Sequence, residues 1–314
     1  MKRPLVTVCV PVYNTAAYIR QCIESVFAQE CKDWILLVSD NCSTDGTWEI
    51  LQELQHPQLR LFRQTQNIGP NANWNFLLEK VETDYFCFLG SDDYFYPNHL
   101  GEKIRLLEQY PEAPFVHGRT DFVDENGEKI QTHDYTGALP PTETSREALA
   151  RLVQANYMVI TAAVFRLAAL RDNGICFDRR LRLFGDWDLY IELLLRYPLV
   201  VHDQQTTLAY RVHSRSDTKQ NIKGYQWAME AGEIFAWSFE EHRSQWEALG
   251  FDTAKIGKRK TARLWALAFQ QLRGGHFSNA KRAWRCYRKA HSPVEPLLDI
   301  PRWLADSCRR ATHQ

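Results

Sequence analysis

LVTVCVPVYNTAAYIRQCIESVF, Leu5 to Phe27, contains a change of period that decides the fold class. Its first six residues, LVTVCV, are apolar and rich in β-branched side chains, the pattern of a strand buried on both faces. Beyond Pro11-Val12-Tyr13-Asn14 the spacing becomes helical: from Thr15, placed to cap a helix, Ile19, Ile23, Val26 and Phe27 fall on one face. The unit then repeats. WILLVS (34–39) precedes a helix carrying Trp48, Leu51 and Leu54, LRLF (59–62) one carrying Trp74, Leu77 and Leu78, and YFCFL (85–89) follows. Apolar strands alternating with amphipathic helices predict a mostly parallel sheet covered on both sides, an α/β fold.

After Pro97 the pattern loosens. A helix is expected over 98–109, a strand over FVHGRTDFV (115–123), a hairpin turn at Asn126-Gly127 and a covering loop over 133–145. MVITAAVF (158–165) reads as buried, WDLYIELLLRY (187–197) as a helix and TTLAYRVH (206–213) as a strand. From Gly224 only helical periods occur, broken near Gly250, Gly274-Gly275 and Ser292-Pro293. These shifts predict a catalytic domain over 1–218, divided near residue 110, and a helical extension over 219–314.

With 45% hydrophobic residues and 16 Phe and 13 Tyr among 314, the chain can bury a large core. The formal net charge is zero, yet from Asp252 onward there are 14 Lys and Arg against 4 Asp and Glu. Such a tail suits an anionic membrane surface, although solvated helix faces have the same composition. No nucleic-acid partner is expected. Eight scattered cysteines without metal-ligand spacing read as reduced thiols. Pro4 and Pro11 interrupt the signal-like start, and the longest uncharged windows are too short or too polar to span a bilayer. The expected location is therefore cytoplasmic, with the basic helices placed to meet the inner face of the plasma membrane.

In an open α/β sheet, ligands bind beyond the carboxyl ends of the strands. Four successive strands end in polar turns: Pro11 to Asn14, Asp40 to Gly46, Gln66 to Asn75, and Gly90-Ser91-Asp92-Asp93. The last lies within CFLGSDDYFYP, where two adjacent carboxylates follow an apolar strand and need a compensating positive charge. No glycine-rich phosphate loop is present. Paired acids then point to a hard divalent cation, Mg2+ or Mn2+, bridging a diphosphate, and Asp40 to a base or ribose. Together they imply a nucleotide diphosphate.

VTVCVPVYN, VSDNCSTDGT, NIGPNANWN, FLGSDDYFYP, FGDWDLYIEL and YRVHSRS, in this order, resemble the motif set of the inverting GT-A glycosyltransferase family 2, of the bacterial cell-envelope polysaccharide type. The resemblance covers about residues 4 to 216. It implies a GT-A fold and a hexosyltransferase-class enzyme that moves one sugar, with inversion, from a nucleotide donor to a hydroxyl of a glycan or lipid-linked acceptor. A UDP-sugar is the favoured donor, with dTDP- and GDP-sugars as alternatives. Pro11, Tyr13 and Asn14 match the segment under the base, Asp40 the acid that bonds it, and Asp45 and Asn67 the positions that close the pocket. Ser91 and Asp92 fall at the donor, Asp93 is the expected metal acid with Asp92, and His213 matches a further ligand position. Asp186 matches the general base, although an Asp before an apolar helix is also an ordinary N-cap. Gly90 and Gly185 stand where relatives often carry acids. A nucleotidyltransferase and a catalytically silent nucleotide-sugar binder remain as alternatives.

Overall fold

The computed structural model describes residues 4–133, 139–213 and 225–290. The chain divides into two compact units, Met1–Gln220 and Asn221–Gln314. In the first, the opening repeat forms β1 (Val6–Val12), α1 (Ile19–Phe27), β2 (Trp34–Asp40), α2 (Thr47–Glu53), β3 (Leu59–Arg63), α3 (Pro70–Glu79) and β4 (Tyr85–Phe88). There follow β5 (Tyr94–Phe95), α4 (His99–Gln109), β6 (Phe115–Val123), β7 (Lys129–His133), β8 (Thr142–Thr144) and α5 (Ser145–Leu152). A 3-10 turn (Ile160–Ala162), β9 (Ala163–Arg166), α6 (Leu167–Arg171), α7 (Gly185–Leu194) and β10 (Leu199–Arg211) complete it.

The strands form one sheet in the order β3-β2-β1-β4-β9-β6-β10-β5, with β7 beside β6 and β8 beside β10. β3, β2, β1 and β4 are mutually parallel, whereas β9 runs antiparallel to β4 and β6. The sheet is therefore mixed, with a parallel half built from the repeated strand-helix unit. Alternate residues of β1 explain its cover: Val6, Val8, Val10 and Val12 pack with Ile19, Cys22, Ile23 and Val26 of α1. On the sheet's Phe86 and Phe88 side, aromatic rings pack together, with Trp74 of α3 4.4 Å from Phe88 and Phe165 5.3 Å from Phe86.

Three local expectations change. The helix foreseen from Thr15 begins at Ile19, because the N–H groups of Tyr18 and Ile19 both donate to the Thr15 carbonyl in a preceding turn. The loop expected over 133–145 ends in β8, and a capping box between Thr144 and Glu147 starts α5; residues 134–138 lie outside the described residues. The strand expected over 206–213 spans Leu199–Arg211, its first half hidden in sequence by Asp203-Gln204-Gln205, where the register against β6 shifts.

In the second unit, α8 (Tyr225–Glu241), α9 (Arg243–Ala248), α10 (Thr253–Arg273) and α11 (Phe277–Ala290) enclose a separate core with Met229, Leu264, Ala283 and Tyr287. Asp252 caps α10 through the Lys255 N–H. Trp246 is buried and donates to Ser238 Oγ at 2.9 Å, while Trp227 is exposed. The predicted break at Ser292-Pro293 lies outside the described residues. Among the described residues no helix is long and apolar enough to cross a membrane.

Candidate active site

The sheet's topology gathers the candidate residues at one edge. β1 to β4, β6 and β10 all end there, and antiparallel β9 begins there, so Tyr13, Asp40, Asn67, Asp92 and His213 each lie just at or beyond a carboxyl end. Loops meet at that edge and bond one another. The Asn14 N–H donates to Ser43 Oγ at 2.9 Å, and its Oδ1 accepts from the Thr44 N–H at 2.8 Å. These bonds suit its left-handed φ of 53°, a conformation asparagine tolerates. Tyr13 stands 46% exposed beside this junction, and Pro11 pairs with Ser39 inside the sheet.

Asp40, expected at the base, and Asp45, expected to close its pocket, both bond the loops. Asp40 is fully buried, both its oxygens accept from the Ser43 N–H at 3.2 Å, and Arg63 Nε stands 3.3 Å away. Its carboxylate faces the turn and not open space. Asp45 accepts from Thr47 and from the Ala16 N–H; burial pushes its pKa up, but these bonds outweigh it and the net shift is downward. Asn67 is exposed and accepts from Asn41 Nδ2 at 3.0 Å and from the Gly69 N–H at 2.9 Å. The asparagines of α3 are also structural: Asn73 bonds Ser39, Asn75 pairs with the backbone of Phe177, and Asn71 donates to the carbonyls of Asp178 and Leu181.

At the end of β4, the two acids point to different environments. Asp93 is 2% exposed, its Oδ1 accepts from the Arg211 N–H at 2.8 Å, and Oδ2 from Thr161 Oγ1 at 3.3 Å. Burial first, and the charge of Asp92 second, push its pKa well above the carboxylate range, against the pull of those two donors. Asp92 is more open, with a side chain 25% exposed, and its Oδ2 lies 2.9 Å from His213 Nε2. Of the two acids, Asp92 presents the more accessible carboxylate, and it is the one paired with His213. Ser91 beside it is buried.

A carboxylate oxygen and an imidazole nitrogen at this spacing form a donor set that suits Mn2+ better than Mg2+, which prefers oxygen ligands. They are two donors; among the described residues no group of three His, Cys, Asp or Glu could hold a metal ion.

The buried cation nearest the acidic turn is Arg211, which falls within the YRVHSRS motif but was not singled out there. It is 2% exposed, and its guanidinium donates to the carbonyls of Asp92, Asp124 and Glu125 and to Gln21 Oε1. The same group stacks over Tyr18 at 4.7 Å.

Gly90 also acquires a reason. A Cβ there would fall 2.7 Å from Asp93 Oδ2, so the acid pair folds over the space a side chain would need. At Gly185 the corresponding atom would meet Asn71 Nδ2 at 2.9 Å.

Asp186 is the second residue of α7, and no side chain caps that helix, so it is not an N-cap. Its Oδ1 accepts from the Trp187 N–H at 2.7 Å and its Oδ2 from Asn156 Nδ2 at 3.0 Å. Burial raises its pKa to about 6, with those two bonds opposing the shift. Asn156 was not foreseen, because an asparagine before an apolar run reads as an ordinary turn. The stretch from Asn156 to Thr161 therefore links the two acidic centres, touching Asp186 at one end and Asp93 at the other. Five residues span at most about 18 Å between Cα atoms, which bounds the distance between the two supporting positions.

The mixed sheet, its parallel half ending in a polar, acid-bearing edge, has the GT-A-like architecture of sugar-transferring folds. The same fold is seen in Staphylococcus aureus TarS 1-349 in complex with UDP-GlcNAc, at TM-score 0.60 and 18% identity over 91% of this chain and 92% of that one. It recurs in the mannosyltransferase PcManGT of Pyrobaculum calidifontis, in complex with GDP-Man and Mn2+, at TM-score 0.55 and 17% identity over 96% and 89%. The chain belongs to Glycosyl transferase family 2, whose profile matches residues 7–174. An uncharacterized glycosyltransferase of Rickettsia felis is 26% identical over 69% of this chain and 36% of its own. TuaG of Bacillus subtilis, named for teichuronic acid biosynthesis, is 33% identical over 33% of this chain and 42% of its own. The chain thus spans well under two thirds of the length of either relative.

Proposed function

We propose that this family 2 glycosyltransferase transfers a single sugar, with inversion, from a UDP-sugar to a hydroxyl of a glycan or lipid-linked acceptor in cell-surface polysaccharide synthesis. The observation that carries the reading is the Asn156 to Thr161 stretch, which sets the half-buried, high-pKa carboxylate of Asp186 within reach of the second acidic centre at Asp93. UDP-GlcNAc in TarS supports the donor class, and the naming of TuaG supports the cell-surface setting. Residues 1–110 hold the nucleotide, residues 111–218 supply acceptor contacts, and residues 219–314 are the extension, helical over the described residues 225–290.

Tyr13, exposed at the end of β1, offers a face for the base, and Asn14 and Asn67 flank it. Asp92 and His213 would hold a divalent cation, with Mn2+ the better match. When bound, that cation neutralises charge on the leaving diphosphate as a Lewis acid. Asp93 positions Asp92 through the shared turn, and Arg211 holds that turn through the Asp92 carbonyl. Asp186 Oδ takes the proton from the acceptor hydroxyl as that oxygen attacks the anomeric carbon on the face opposite the diphosphate. Asn156 and the Trp187 N–H hold the carboxylate in place and stabilise its ionised form.

On α11, Lys281, Arg285 and Arg288 are exposed on the face opposite Ala283 and Tyr287, and this basic face is the proposed contact with an anionic membrane. The test of the central reading is Asp186→Asn. Transfer should fall by roughly 10²- to 10⁴-fold while UDP-sugar binding is unchanged; wild-type turnover in this variant would remove Asp186 from the base role.

A further inference from the structure

Between α3 and the loop that precedes α7 lies a cavity of about 600 Å³ lined by Gln66, Asn71, Phe76, Leu181, Arg179 and Arg182. Its chemistry is amphipathic and mainly cationic. Three arginines stand close together in the loop, but only two face this space. Arg180 is turned onto Asp178, with Nε 2.7 Å from Oδ2, so that acid is neutralised within the loop. Arg179 and Arg182 line the cavity instead, and both are exposed. Glu79, at the far end of α3, is the single carboxylate on the lining, and Lys80 beside it stands 5.2 Å over the Phe76 ring. Phe76 supplies an apolar surface, half-buried, of the kind a sugar ring can cover.

Through Asn71 the cavity borders Gly185, the residue before the proposed base. Asn71, which forms one wall, holds the loop through the carbonyls of Asp178 and Leu181 at 2.9 and 2.8 Å. The same amide fills the space over Gly185, where a Cβ would come within 2.9 Å of it, and Asp186 is the next residue. A side chain at 185 would push this wall outward, so the glycine keeps the groove against the start of α7.

Resting on the glycosyl-transfer reading above, we propose that this groove is an acceptor subsite for a glycan that carries an anionic group, a phosphodiester or a carboxylate, which Arg179 and Arg182 bind beside an apolar contact on Phe76. Guanidinium forks match both anions in a bidentate geometry, so the shared feature is a planar or tetrahedral oxyanion on the acceptor chain.

The test is direct binding without donor, by fluorescence anisotropy on the full chain. The probes are a labelled glycerol phosphate oligomer, a labelled glucuronate oligomer and a labelled dextran of equal length. The anionic probes should bind, in a salt-sensitive manner, and the dextran should not; the tighter anionic probe identifies the source of the charge. Replacing Arg179 and Arg182 together by Ala should weaken that binding roughly tenfold or more, and Arg179→Glu at least as far. Arg180→Ala, an equal loss of charge outside the cavity, should leave it unchanged, and UDP affinity should be the same in all variants. Equal binding by the wild type and the double variant, an equal loss with Arg180→Ala, or dextran bound as tightly as the anionic probes would each overturn the proposal. UDP-sugar hydrolysis by the same samples reports separately on the transferase reading: arginine-dependent binding without hydrolysis supports the groove and counts against the transfer.

Discussion

The backbone N–H of Arg211 donates to Asp93 Oδ1 at 2.8 Å across 118 residues of chain, so the last residue of β10 holds the second acid that follows β4. The guanidinium of the same residue reaches back to the carbonyl of Asp92 at 2.9 Å. One buried cation therefore ties the acidic turn to the sheet, while the burial of Asp93 still outweighs the pull of its charge.

Arg211→Met should lose about 3 kcal/mol of stability, because it removes a buried charge and leaves the carbonyls of Asp124 and Glu125 without their donor. Urea denaturation measures this, with a fall in midpoint at an unchanged slope as the expected result. Arg211→Lys should recover only part of the loss, since an ammonium cannot span the four acceptors of the fork.

Asp92 and Asp93 should separate on mutation. Asp92→Asn is expected to weaken Mn2+-dependent UDP binding by tenfold or more, as an accessible charged ligand is lost. Asp93→Asn keeps an acceptor for the Arg211 N–H and relieves a buried like-charge contact, so its UDP affinity should be close to wild type and its melting temperature equal or higher. Calorimetric titration with and without Mn2+ distinguishes the two.

The Asp186 carboxyl has a folded pKa of about 6, above its ordinary value of 3.8. Transfer should accordingly rise with pH through about 6, as the carboxylate forms. The stability effect has the opposite direction. Between these two pKa values the folded chain binds more protons at this site than the unfolded chain, so stability falls as pH rises through the window. By about pH 7 the cost is at most about 3 kcal/mol. Asp186→Asn should therefore raise the melting temperature at pH 7.5 and change it little at pH 4, while lowering transfer by roughly 10²- to 10⁴-fold.

Asn156→Ala removes one of the donors that stabilise ionised Asp186. The acid limb of the pH–rate profile should move upward by a fraction of a unit to a unit, with the KM for donor unchanged. An unshifted limb would show that Asn156 does not position the carboxylate.

Gly90→Ala places a Cβ 2.7 Å from Asp93 Oδ2, so the carboxylate must move off Thr161. A loss of about 1 to 3 kcal/mol is expected, together with weaker Mn2+-dependent UDP binding. Restoring an acid at this position, Gly90→Asp, should for the same steric reason fail to strengthen metal binding.

The alternation of LVTVCV with helical spacing was enough to assign the α/β class, because burial of a strand on both faces and of a helix on one leaves a periodic trace in composition. The polar turns after β1 to β4 were legible for the same reason, as each interrupts an apolar run. By itself, then, the sequence determined the parallel half of the sheet, the edge at which its strands end and the helical character of the tail. The antiparallel entry of β9 and the first half of β10 were not visible, since their pairing depends on residues far apart in the chain and on a shift of register. The tertiary structure alone decided which acid stays open and which is buried. It brought Arg211 beneath the acidic turn, set Asn156 against Asp186, and filled the spaces over Gly90 and Gly185 with Asp93 and Asn71. Those outcomes depend on desolvation and on hydrogen bonds across more than a hundred residues of chain, which local periodicity does not encode.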